Sequence, residues 1–131
     1  MAIPSAPTIQ AINAVDWSAN PKSIPVKGTL KFKNSSEDNH FVGMARLKDG
    51  KTMADFDAWI KKAASGQNPG PDPVDGSAPE IDTGVLSPGK SMAQKYKLIP
   101  GTYVIICWWP DADMDNMPHA FMGMYRGITV K

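Results

Sequence analysis

The sequence predicts an all-β fold, an antiparallel β-sandwich of about seven strands with one inserted helix. Three observations carry this. Twelve Pro and eleven Gly are spread over 131 residues, a density that breaks helices and suits short strands joined by turns. Several segments alternate apolar and polar residues with a period of two, the mark of a strand with one buried face. Only one stretch, near residue 52, has the three-and-four spacing of an amphipathic helix. The length fits one hydrophobic core, so a single domain over residues 1–131 is expected.

The elements follow in order. Thr8 to Trp17 holds Ile9, Ile12 and Val15 and reads as a first strand, closed by a turn at Asn20-Pro21. In Val26 to Asn34, Leu30 and Phe32 alternate with Thr29, Lys31 and Lys33. A polar turn, residues 34–39, leads to a strand from His40 to Leu47. His40, Val42 and Met44 share one of its faces and Phe41, Ala45 and Leu47 the other. Both faces are partly apolar, so alternation leaves open which one points inward.

Thr52 followed by Asp55 is a capping-box start for a helix over about 52–65. Met53, Phe56, Trp59, Ile60 and Ala63 form its apolar stripe, Lys61 and Lys62 suit its negative pole, and Gly66 stops it. Four prolines make Gln67 to Pro79 an extended surface loop. Leu86 to Gly89 is a turn, Ser91 to Leu98 a strand, and Pro100-Gly101 a tight bend in which Gly permits positive φ. Tyr103 to Trp109 is the most apolar strand and is expected at the centre of a sheet. Trp108 to Pro118 is a loop, and Tyr125 to Lys131 the last strand.

Composition excludes several function classes. Fourteen basic and thirteen acidic residues leave a net charge of +1, so bulk charge predicts no strong attraction to nucleic acid or to an anionic membrane. No apolar run approaches the roughly 20 residues of a membrane helix. No charged-then-apolar leader precedes Ile3. Met1-Ala2 fits a natural start or one added where a signal peptide was removed. One cysteine rules out an internal disulfide, and any functional thiol is Cys107. Phosphate-binding glycine loops, nucleophile elbows and zinc-protease helices are absent.

The candidate chemistry lies near the C-terminus. Pro100-Gly-Thr-Tyr is followed by an apolar run ending in Cys107, then a loop, then His119 and Met124, then a closing strand. Asn34, a polar turn and His40 precede them. This pattern resembles the cupredoxins, the plastocyanin, azurin and copper nitrite reductase group. It is specific over the last 32 residues and loose before Val26.

The resemblance implies a Greek-key sandwich or barrel and a copper site with His40, Cys107, His119 and Met124 as ligands. A thiolate, two imidazoles and a weak thioether suit copper in both oxidation states. Copper would be the cofactor, and the role electron transfer or copper handling, as a Cu(I)/Cu(II) carrier. A redox or copper-transfer protein would be the partner, with no nucleic acid and no membrane insertion. The location would be periplasmic or secreted. The enzymes of this group are multi-domain with a metal site between domains, so this chain is not expected to be an enzyme by itself.

Three departures from the family pattern stand out. Eleven residues separate Cys107 from His119, more than in plastocyanins. Phe41 follows the first histidine where many cupredoxins have Asn, and Trp108 follows the cysteine.

Other readings of the same residues remain. Cys107 at a strand end is equally a small buried hydrophobe. Met114, Met117, Met122 and Met124 flank His119, and with Trp108 and Trp109 they offer a soft, aromatic-covered setting for Cu(I). Asp111, Asp113 and Asp115 alternate but lack the glycine and terminal Glu of a calcium loop, and read as a solvated edge. An alternative function is a metal-free cupredoxin-like module binding a small ligand or protein through the Trp108-Trp109 loop.

Overall fold

The computed structural model describes residues 6–13 and 15–131. The start at Met1-Ala2 lies outside the described residues. Two sheets face each other. The first has three strands, β1 (Thr8–Ala11), β3 (Lys27–Asn34) and β6 (Ser91–Lys97), with β3 in the middle. The second has five: β2 (Ser23–Ile24), β10 (Tyr125–Val130), β7 (Gly101–Ile106), β4 (Gly43–Arg46) and β5 (Ile81–Asp82), in that order across the sheet. A small hairpin, β8 (Pro110–Asp111) with β9 (Met117–Pro118), stands apart. The expected β-sandwich is present, with two amendments. Several extra strands are only two residues long, and β1–β3 and β2–β10 pair in parallel, the other ladders being antiparallel.

The apolar run at Tyr103 explains the architecture. A strand buried on both faces has no polar alternate positions, and β7 has none after Thr102: Tyr103, Val104, Ile105 and Ile106 are all buried. It sits at the centre of its sheet, between β10 and β4. Tyr103, Ile105 and then Cys107 face the interior between the sheets, with Ile9, Leu30, Phe32, Met44 and Ile128. Val104 and Ile106 face the other way, toward helix α1 (Met53–Ala64).

That helix begins as the sequence predicts. The Thr52 side chain accepts from the Asp55 backbone N–H, and the Asp55 carboxylate accepts from the Thr52 N–H at 2.8 Å. Phe56 and Ile60 are its buried residues, packed on Leu47, Val104, Ile106 and Ala120. The question alternation left open is answered here. Val42 and Met44 belong to the inter-sheet core, whereas Leu47 belongs to the helix side. His40 shares the parity of Val42 and Met44 and is buried with them.

Candidate metal centre

Three segments meet at one end of the sandwich. The first is the turn after β3, held by Asn34. This side chain is fully buried. Its amide donates to the carbonyls of Asp38 at 2.6 Å and Leu86 at 2.8 Å, and its oxygen accepts from the Ser36 N–H and hydroxyl. Leu86 in turn exchanges backbone hydrogen bonds with His40 at 3.1 and 2.6 Å. Asn34 thus fixes the segment that presents the His40 ring.

The second segment is the end of β7, which delivers Cys107 with no solvent exposure. The third is the long loop to His119. It folds back on itself as the β8–β9 hairpin, with Asp115 and Asn116 both at left-handed φ (54° and 61°) in the reversal. Asn and Asp tolerate this conformation better than most residues. The His119 N–H then donates to the Trp109 carbonyl at 2.9 Å. Eleven intervening residues therefore bring His119 back beside Cys107.

The side chains converge. Cys107 Sγ lies 3.4 Å from His40 Nδ1 and 3.7 Å from His119 Nδ1. The ligand atoms of all three residues fall within 4.8 Å of one another. His40 and His119 are 1% and 0% exposed. Metal–sulfur and metal–imidazole bonds of about 2.3 and 2.0 Å, meeting at 110–120°, separate sulfur from nitrogen by about 3.5–3.7 Å. The observed distances fall within about 0.1 Å of that span, so the donor set fits a single soft-leaning ion.

Hydrogen bonds on the far side of each ring agree. His40 Nε2 is 3.1 Å from the Asn13 carbonyl, and His119 Nε2 is 3.3 Å from Asp111 Oδ2. An acceptor at Nε2 holds the proton there and leaves the Nδ1 lone pair facing the sulfur, the arrangement that metal-bound histidines use. Burial, reinforced by the neighbouring His119, pushes the His40 pKa down from 6.5 to about 4, so its ring is neutral at neutral pH. Burial raises the Cys107 thiol, while the backbone N–H groups of Trp109 and Phe41 act the other way and favour the thiolate. Position 41 contributes through its backbone, which Phe supplies as well as Asn does.

Met124 is fully buried in the same core as Cys107. Its carbonyl accepts from the Cys107 N–H at 3.3 Å, and its N–H donates to the His119 carbonyl at 3.1 Å. Its backbone is therefore bound to both neighbouring segments.

Three residues were missed or misjudged from sequence. Asp111 is not a solvated edge. It is 8% exposed and anchors His119, while Asp113 and Asp115 are exposed. Asn34 gave a signal only through its place ahead of the polar turn and His40 in the family-like pattern. Trp17, buried with its ring centroid 6.3 Å from that of His40, gave none. The two loop tryptophans separate: Trp108 is exposed and stands edge-on to Phe121, whereas Trp109 packs on the inter-sheet core and on Phe41. They do not form one aromatic surface. Met114 and Met117 are exposed.

No family model matches the chain, and no curated protein matches it in sequence. Solved structures do match. Dithionite-reduced auracyanin from Roseiflexus castenholzii is 22% identical over 95% of this chain and 94% of its own, with a TM-score of 0.56. The azurin Az-iso2 of the methylotroph Methylomonas sp. strain J is 18% identical over 95% of each chain, with a TM-score of 0.52. Auracyanin A of Chloroflexus aurantiacus, described as a "blue" copper protein, is 16% identical over 95% of this chain and 96% of its own, with a TM-score of 0.51. The chain has the cupredoxin fold, and its Cys107 and two histidines lie together in it as a candidate metal-ligand set.

Proposed function

We propose that this chain is a copper protein that transfers electrons, with His40, Cys107 and His119 as its principal ligands and Met124 as a weaker fourth. The observation that carries the reading is the convergence of one sulfur and two Nδ1 atoms at 3.4 and 3.7 Å, with both Nε2 atoms already engaged. Copper held there would supply one-electron exchange between its two oxidation states. The chain's own part is to keep the donors fixed and dry. Each ligand lies on a segment pinned by backbone or Asn34 hydrogen bonds, and all are buried. Ligation needs the Cys107 proton to leave, which burial opposes and which metal binding drives.

Loading the purified protein with Cu(II) tests this. The expected result is one copper per chain by elemental analysis and an intense visible thiolate charge-transfer band, abolished by Cys107→Ala. A colourless, copper-free sample after loading refutes the reading. Tight Cu(I) binding without the band, lost in Met124→Ala or His119→Ala, supports copper carriage instead. The role implies a redox partner and an exported location, periplasmic or secreted, which cell fractionation tests.

A further inference from the structure

The charged side chains are sorted by face. On β3 and β6 the residues pointing inward include Leu30, Phe32 and Tyr96, so the alternate positions point out. Those positions carry Lys27, Lys31 and Lys33 on β3 and Lys95 and Lys97 on β6. The ladder sets Lys27 directly opposite Lys97, and Lys95 opposite Thr29. The three strands of this sheet contain no Asp or Glu. Among the described residues, none of the five lysines makes an ion pair. The acids gather elsewhere: Glu37, Asp38, Asp111 and Asp113 line one hollow beside His119. A net charge of +1 conceals this separation.

Like charges directly opposite on a ladder destabilise a sheet. An anionic surface laid on this face would relieve that cost. The other outward residues of the face are small or uncharged, namely Thr8, Gln10, Thr29, Ser91 and Ala93. They include no Arg, Trp or Tyr, the residues that anchor protein–protein contacts, from which Lys is depleted. Lysine ammonium groups are point charges on flexible stems, suited to a diffuse field rather than to directional pairing. We propose that the outer face of the β1–β3–β6 sheet docks on an anionic lipid bilayer. No helix among the described residues is long and apolar enough to cross a membrane, so the contact is peripheral. The face ends at Asn34, whose side chain braces the His40 segment. The metal end is therefore at the rim of the contact, not beneath it. This inference rests on charge placement and stands whether or not copper binds.

Co-sedimentation with vesicles tests it. One set is phosphatidylcholine alone, and the other contains roughly a third phosphatidylglycerol. Binding is expected only to the anionic set, and to fall at least about tenfold between about 50 and about 500 mM salt as screening shortens the field. Each lysine near the surface contributes about fivefold. The double reversal Lys31→Glu with Lys95→Glu is thus expected to weaken binding by at least about 25-fold. Lys51→Glu with Lys62→Glu makes the same change in net charge off this face and is expected to bind far more tightly than that double reversal. Equal binding to both vesicle sets, no binding at low salt, or equal loss in the two double variants would each overturn the proposal. Salt-sensitive self-association in the ultracentrifuge, abolished by the first double variant, would also overturn it. It would show that the face meets the acidic end of a second copy.

Discussion

Replacing Asn34 with Ala tests how the site is held. The substitution removes four hydrogen bonds, three of them buried: two donated to the Asp38 and Leu86 carbonyls and two accepted from Ser36. Each is worth about 1 kcal/mol net, with more lost where a buried partner goes unsatisfied. Two partners keep an alternative. The Leu86 carbonyl still accepts from His40, and the Asp38 carbonyl from the Ser36 hydroxyl at 3.1 Å. The expected cost is therefore about 3 kcal/mol. Urea unfolding of the metal-free protein should show this as a midpoint lowered by about 1–2 M at unchanged slope. Asn34→Asp should cost at least as much, because a carboxylate cannot donate to two carbonyls. A loss below about 1 kcal/mol would mean that the turn is held by its backbone alone and that Asn34 does not brace His40.

Other perturbations follow from the same geometry. Asp111→Asn should weaken copper binding by about 10–100-fold, since second-layer partners of metal histidines typically have that effect. Asp113→Asn, exposed and not bonded to the ring, should leave it unchanged in the same competition titration. Metal-free protein should lose stability as pH falls from 6.5 to about 4, because the unfolded chain then takes up a proton that buried His40 refuses. His119, Cys107, Asp38 and Asp111 surround that ring. The loss reaches about 3 kcal/mol at most and is read from denaturant melts across pH. Gly101→Ala should cost about 2 kcal/mol in thermal unfolding. Gly101 sits at φ +148°, and a Cβ would lie 2.5 Å from the Arg46 Nε that bonds the Pro100 carbonyl.

Much of this was legible in the chain itself. Alternation in Lys27–Asn34 and the double-sided apolar run Tyr103–Ile106 state their own burial, because side-chain direction in a strand is fixed by parity. The capping box and stripe of Met53–Ala64 state the helix, since neighbours three and four apart share one face. These are short-range rules, and the sequence contains all their terms. The candidate ligands were legible only through a family-like order of Cys107, His119 and Met124, since spacing by itself says nothing about where an eleven-residue loop returns.

Tertiary structure alone decided the rest. It folded the loop into a hairpin that sets His119 against Cys107, buried Asp111 while leaving Asp113 and Asp115 in water, and made Asn34 a brace. It also joined the lysines of β3 and those of β6 on one face in a chain of nearly balanced charge. The physical reason is common to all four. Burial, hydrogen-bond partnership and electric field depend on distances between residues far apart in the chain, and those distances exist only once the sheets have packed.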